Sequence, residues 1–409
     1  MKILLKNATI IDKNSSFHQQ TKDVIIKDDI IVKIENNIKD NEAKEIHHEN
    51  LHLSNGWMDA SVSFGEPGFE EREIIKNGLK VAAKSGFTAV AINPNTFPVT
   101  DNKASIDYIK QQAKNQNVSV YPIGALTKQA KGKELAELYD MQQAGAIAFG
   151  DYNKAIDNAN LMKIALQYTQ NFDALILSFP QYKQLANGSA NEGINSTKIG
   201  LKGNPILAET LQIARDLHVL EYTGGKLHIP NITSKASITL IQQAKEKGLD
   251  ITCSVSVNHL AFNDDEILDF NTNAKLLPPL RDEKNRLALI EAVKDSTIDY
   301  ITSDHNPIDI EQKKVPFEQA EYGTIGLESF FGLLNPIFDL ETLIEKITIN
   351  PRKIFSIPVP KIAIGEKANL TLFNPDHTYT FTQKHILSTS KNALALDKNL
   401  KGIVYGVLC

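Results

Sequence analysis

From about Asn55 onward the chain repeats one unit: an apolar strand-like run, a polar loop and an amphipathic helical stretch. That rhythm constrains the fold more tightly than any other feature. Residues 86–92 read as a strand after a helical pattern over residues 74–84, and residues 118–123 follow one over residues 103–114. Strands at 146–149 and 174–177 follow helical patterns at 133–143 and 159–169. Further strand-like runs lie at 226–229, 250–255 and 299–303, with helical stretches at 234–247 and 284–294. Apolar strands separated by single helices imply parallel pairing with crossover connections. About eight such units over about 300 residues predict an α/β fold of the (β/α)8 barrel type rather than an open doubly wound sheet. The glycine-rich fingerprints of nucleotide-binding open sheets are absent.

Both flanks differ. Residues 1–53 alternate in short β-like runs separated by polar turns such as Lys13-Asn14-Ser15-Ser16, which predicts a small antiparallel sheet with no helix. Similar runs return at 370–373, 379–382 and 403–408, with Asn374-Pro375 as a turn. The expected organisation is one small β-sandwich built from residues 1–54 and 359–409, around a barrel over residues 55–358. With 44 Lys and Arg against 49 Asp and Glu, a net charge of −5 gives no electrostatic reason to expect nucleic acid or an anionic membrane as partner. No apolar stretch is long enough for a membrane span. The first twelve residues lack the apolar core and cleavage site of a secretory signal. Cys253, in an apolar run, and Cys409 cannot form a disulfide framework. A cytoplasmic location is expected.

Residues 55–68 read Asn-Gly-Trp-Met-Asp-Ala-Ser-Val-Ser-Phe-Gly-Glu-Pro-Gly. Asn93-Pro94-Asn95-Thr96, Pro278-Pro279-Leu280-Arg281 and Thr302-Ser303-Asp304-His305-Asn306-Pro307 follow. Gly323-Thr324-Ile325-Gly326-Leu327-Glu328, Asn350-Pro351-Arg352-Lys353-Ile354-Phe355 and a closing stretch over residues 364–370 complete the series. In order and spacing these segments resemble the landmarks of dihydroorotases, members of the cyclic amidohydrolase superfamily, over nearly the whole chain. The family's first segment reads P-G-[FW]-[IV]-D-x-H-V-H-x-R-E-P-G, and its second M-P-N-T. The resemblance implies an amidohydrolase (β/α)8 barrel with a small β-sandwich domain formed by both termini, a role in pyrimidine biosynthesis, and zinc-dependent hydrolysis in the family's active members.

Such hydrolysis needs metal to polarise the amide and to supply hydroxide near neutral pH, and zinc favours imidazole ligands. The two family histidines of the first barrel strand stand at i and i+2, facing one side; here they are Ser61 and Ser63. The family histidine after the fifth strand corresponds to Ser178, and the second histidine of H-x-x-H-x-S-T to Asn231. No histidine remains at these four positions, so no metal cofactor is expected. Asp151 keeps one of the two acidic residues of the family's F-[ST]-D-D-G segment. The arginine and histidine that would clamp a substrate carboxylate are Gly65 and Ile308. Asp304 matches the family's general base and Asn95 its substrate-binding asparagine. Both are expected to be vestigial, with Asp304 and His305 persisting as a buried hydrogen-bonded pair.

The other histidines are scattered. His47, His48 and His52 read as a solvated edge and His259 as a structural residue, while His228, His259 and His305 are the set that could converge on a metal in a new way. Cys253 reads as a core thiol. Tyr152, Phe179, Pro180, Pro230 and Ile308 are larger or more apolar than a ligand set and would fill a mouth relieved of metal. The leading expectation is a non-catalytic dihydroorotase homologue acting as a scaffold or partner subunit in a homo- or hetero-oligomer. The resemblance names aspartate carbamoyltransferase as candidate partner. The alternative is an active dihydroorotase, or a hydantoinase-like cyclic amide hydrolase, with an unusual metal site. Small-molecule sensing at the barrel mouth is a third.

Overall fold

The computed structural model describes residues 2–409. The chain opens with β1 (Lys2–Ile11), β2 (Thr21–Lys27), β3 (Ile30–Glu35), β4 (Lys44–Ile46) and β5 (His52–Asn55). These join the last two strands, β16 (Leu370–Thr380) and β17 (Asn399–Leu408), in one sheet of order β17-β16-β5-β1-β2-β3, with β4 also on β1. Ile3, Leu5, Ile10, Val24, Leu53 and Leu370 belong to the core of this sheet. The sheet is mixed, not antiparallel: β1 runs antiparallel to β2 but parallel to β4 and β5. The chain crosses over after β3 and returns beside β1 in the same direction. A period-2 apolar pattern is the same for either direction, so it could not reveal this. Nor is Asn374-Pro375 a turn. β16 runs through it, with an irregular register against β17 between Asn374 and Thr378. Such an irregularity accommodates a proline that has no N–H to donate.

Eight parallel strands follow. β6 (Trp57–Val62), β7 (Phe87–Ile92) and β8 (Ser119–Pro122) form one group. β9 (Ala148–Phe149), β10 (Leu175–Leu177), β13 (Lys226–Ile229), β14 (Ile251–Ser256) and β15 (Tyr300–Thr302) form another, paired in that order. Single parallel bridges, Gly124 to Phe149 and Val62 to His305, span the two gaps between the groups. The two-residue strands β11 (Ala190–Asn191) and β12 (Gly203–Asn204) pair with each other. Alternation along the strands separates two cores. Met58, Ala60, Ala89, Ala91, Ala148 and Leu175 form a central cluster of mostly small side chains. Trp57, Val90 and Ile92 join the main core with the helices.

The helices are α1 (Ile75–Lys84), α2 (Lys103–Gln112), α3 (Leu138–Ala144), α4 (Ala159–Thr169), α5 (Ile194–Ile199), α6 (Ile206–Thr223), α7 (Lys235–Glu246), α8 (Val257–Ala261), α9 (Glu283–Lys294), α10 (Ile310–Lys313), α11 (Phe330–Leu334) and α12 (Leu340–Ile354). Side chains of Asn102, Asn158, Ser234, Asp282 and Asp339 cap α2, α4, α7, α9 and α12, meeting N–H groups that have no partner within the helix. α3 starts at Leu138, later than its periodicity suggests. The preceding residues are drawn into pairing with the 126–128 loop, through Lys128 N–H to Glu134 O and Ala136 N–H to Leu126 O. No helix among the described residues is long and apolar enough to cross a membrane. Trp57, fully buried, ties the sheet to the parallel strands: its indole N–H donates to Ser54 Oγ at 2.9 Å and its ring packs on Phe87, Phe331 and Phe373.

Candidate functional site

The register of β6 on β7 shifts between Asp59 and Val62. The buried Asp59 carboxylate sits at this shift, accepting from the Ser61 N–H at 3.1 Å, the Ser303 N–H at 3.1 Å and the Thr302 hydroxyl. It thereby pins β6 to β15, and burial pushes the carboxyl up to about 6. Just beyond, Ser61 and Ser63 face one side, as their spacing implies. Asn93 Nδ2 donates to both hydroxyls, at 3.0 and 3.2 Å. The Ser61 hydroxyl donates to Asp304 Oδ1 at 3.1 Å, and the Tyr152 hydroxyl donates to the same oxygen at 3.2 Å. Asn231 lies beside this carboxyl and favours its charged form. Ser61, Ser63, Asn231 and Asp304 therefore converge at the ends of β6, β13 and β15.

Three members of this network, Tyr152, Asn231 and Asp304, hold left-handed backbone, with φ of 57°, 51° and 48°. Asn and Asp adopt that region with local side-chain help. A tyrosine there costs on the order of 1–3 kcal/mol and persists only where its surroundings fix it. Loss of water raises the Asp304 carboxyl to about 6, against the lowering effect of Ser61, Asn231 and Tyr152. Burial, together with the Asp304 carboxylate, holds the Tyr152 phenol well above its usual range.

A family model described as dihydro-orotase-like matches residues 52–237. The dihydroorotase of Caldanaerobacter subterraneus is 37% identical over 412 residues, covering 99% of this chain and 95% of the relative. The chain belongs to the dihydroorotase family. The dihydroorotase of Caldicellulosiruptor saccharolyticus is 39% identical, with 99% and 96% covered. Among solved structures, an L-hydantoinase from Arthrobacter aurescens superposes with a TM-score of 0.84 at 21% identity, covering 98% of this chain and 93% of its own. A D-hydantoinase from Thermus sp. gives 0.80 at 18%, with 98% and 93% covered. At these identities the two hydantoinases show the shared amidohydrolase fold.

Other residues expected at the site from the sequence lie outside the network. The buried Ser178 hydroxyl donates to Asp216 Oδ2, on α6, at 2.6 Å. Asp151 turns onto Thr127, accepting its N–H at 3.0 Å and its hydroxyl. Asn95 and Ile308 line a neighbouring cavity of about 320 Å³. Asp304 and His305 do not bond to each other, contrary to expectation. His305 Nδ1 accepts instead from the N–H groups of Gly326 and Leu327, at 3.2 and 3.4 Å, because the Gly323–Glu328 segment folds against it. His228 is taken by Thr252, Ser254 and Tyr300, and His259 by Ser256 and the Pro278 carbonyl. His48 stacks on Tyr405. The Cys253 thiol is buried, and burial pushes its pKa up. Among the described residues, no three His, Cys, Asp or Glu side chains gather where they could hold a metal ion.

Sequence reasoning missed Asn93 as a member of the network. Its signal was available, since Asn93 opens the Asn93-Pro94-Asn95-Thr96 segment that carries the resemblance. Gly65 is also more constrained than a lost arginine suggests. A Cβ at this position would lie 1.8 Å from the Phe69 carbonyl oxygen. Gly65→Ala is therefore expected to destabilise the protein by about 1–3 kcal/mol, as overpacking does, measured as a lower urea midpoint with unchanged slope.

Proposed function

We propose that this dihydroorotase-family protein serves pyrimidine biosynthesis without hydrolysing a cyclic amide, as a scaffold or partner subunit in an oligomer. Aspartate carbamoyltransferase is its candidate partner. We read the eight parallel strands as a closed (β/α)8 barrel with the network at its C-terminal mouth, where such barrels place their sites. The observation that carries the proposal is the hydrogen-bonding of Asp304 to Ser61 and Tyr152, with Asn93 linking the serines. Neutral hydroxyls and amides do not fit zinc, which takes imidazole, thiolate and carboxylate. A carboxylate with no metal-bound water to act on lacks the nucleophile this chemistry needs. Ile164 and Tyr168 on α4, with Leu207 and Leu211 on the adjoining α6, are exposed apolar side chains of a kind that partners cover.

Size-exclusion chromatography with the aspartate carbamoyltransferase of the same organism tests the partner. Co-elution at a fixed ratio is expected; separate elution with unchanged transferase assembly overturns this assignment.

One observation favours the second reading, an active dihydroorotase or hydantoinase-like amidase with an unusual metal site. Asp304 keeps an exposed edge and a pKa of about 6, suited to a general base at neutral pH. That reading requires bound metal and ring opening.

A further inference from the structure

Beside the network, the cavity that holds Asn95 adjoins a second of about 330 Å³, the two sharing Ala130, Asn153 and Lys154 as a common wall. Together they make a groove running past the 127–133 loop. Its walls carry Arg72, Lys131, Lys154 and Lys183. The three lysines are exposed and, among the described residues, form no ion pair; the charge of Lys154 acts on the Asp151 carboxylate. Arg72 is fixed in place: its guanidinium lies 4.3 Å from the Phe69 ring centre, and Nη2 donates to Gln312 at 2.9 Å. Its Nε is buried without a hydrogen-bond partner, the exposed Glu71 carboxylate standing 3.7 Å away. Asn95 Oδ1, on the same cavity, is also buried and unpartnered. Of the acids on the groove, Asp151 is turned onto Thr127, while Glu321 and Asp157 stand exposed. Phe97, 70% exposed, adds an apolar surface beside Arg72.

We propose that this groove binds an extended acidic peptide segment of a partner protein. One carboxylate meets the Nη1 edge of the fixed Arg72 guanidinium, which engages no other residue among those described, in a charge-assisted contact. Further carboxylates lie along Lys154, Lys131 and Lys183, and an intervening apolar side chain rests on Phe97. Separated cations along an elongated groove select a chain with spaced charges over a single small anion, and complementary potentials of this kind supply specificity and speed of encounter. The inference rests on the partner-subunit reading and names the surface that reading requires.

Fluorescence anisotropy of the whole protein with a labelled eight-residue peptide of alternating Glu and Leu tests it, against the same peptide with Lys in place of Glu. Saturable binding of the acidic peptide alone is expected, weakening as salt rises. Arg72→Gln, and separately the triple change Lys131→Gln, Lys154→Gln, Lys183→Gln, should each weaken it at least about tenfold. The triple variant lies wholly on the exposed surface, so it keeps the test valid if Arg72→Gln melts early. Equal binding of the two peptides, unchanged affinity in the triple variant, or equally tight binding of an oligouridylate would overturn the proposal. Co-elution with the transferase that survives the triple change would overturn this surface while leaving the partner-subunit reading intact.

Discussion

Asp304→Asn is expected to make the protein more stable at pH 8, by about 1–3 kcal/mol, while changing its stability at pH 4 little. Folding raises this carboxyl from 3.8 to about 6 by removing water from it. Between those values the folded state holds more protons than the unfolded state, so stability falls as pH rises through the window and stays lower above it. A shift of about two units corresponds to at most about 3 kcal/mol, and the exposed edge of the carboxyl reduces it. Asparagine is neutral, nearly isosteric, and keeps an acceptor for the Ser61 and Tyr152 hydroxyls. Asp59, also raised to about 6, leaves the variant a smaller slope in the same window. Urea melts at pH 4 and pH 8 read both quantities. Destabilisation by Asp304→Asn at pH 8 would mean that the ionised carboxylate is an asset to the fold, contrary to this account.

Arg281→Met is expected to cost about 3–5 kcal/mol, the range for breaking a buried ion pair from one side. Arg281 is buried behind the site, donating from Nε to Thr233 Oγ1 at 3.0 Å and from Nη1 to Asn191 Oδ1 and the Asn204 carbonyl, at 3.0 and 2.6 Å. Its Nη2 lies 3.8 Å from the buried Glu209 carboxylate. Glu209, in the first turn of α6, accepts from the N–H groups of Thr233 and Ser234 and so secures the entry to α7. Removing the arginine leaves that buried carboxylate without its counter-charge and takes away the donor to Thr233 Oγ1 in the loop that carries Asn231. Arg281→Lys keeps the charge but not the planar fork and should fall between the two. Chemical denaturation with circular dichroism measures both variants.

What the sequence revealed follows from which forces are local. Helix α4 and strand β13 have the limits their periodicity suggests, because a 3.6- or 2-residue repeat is written in consecutive side chains. The parallel return of β5 onto β1 was not legible, since strand direction depends on where a crossover lands. In the site, Ser61 and Ser63 could be placed together because alternation puts them on one side of a strand. The partners of Asp304 could not. Tyr152 reaches it from 152 positions away and only through a left-handed backbone, while Asp304 and His305, adjacent in sequence, turn to different neighbours. Ser178 shows the same limit. The resemblance suggests a ligand position for it, but a rotatable hydroxyl takes whichever acceptor lies nearest, here Asp216.

The central claim is that a fold of this family is kept here without its hydrolysis. It is tested most directly by measuring zinc content and dihydroorotate ring opening on one preparation made in zinc-supplemented medium. The account predicts less than about one tenth of an equivalent of zinc per chain and no ring opening above the buffer rate, since the chemistry depends on the ion. About one equivalent or more, accompanied by turnover that a chelator abolishes, would contradict it.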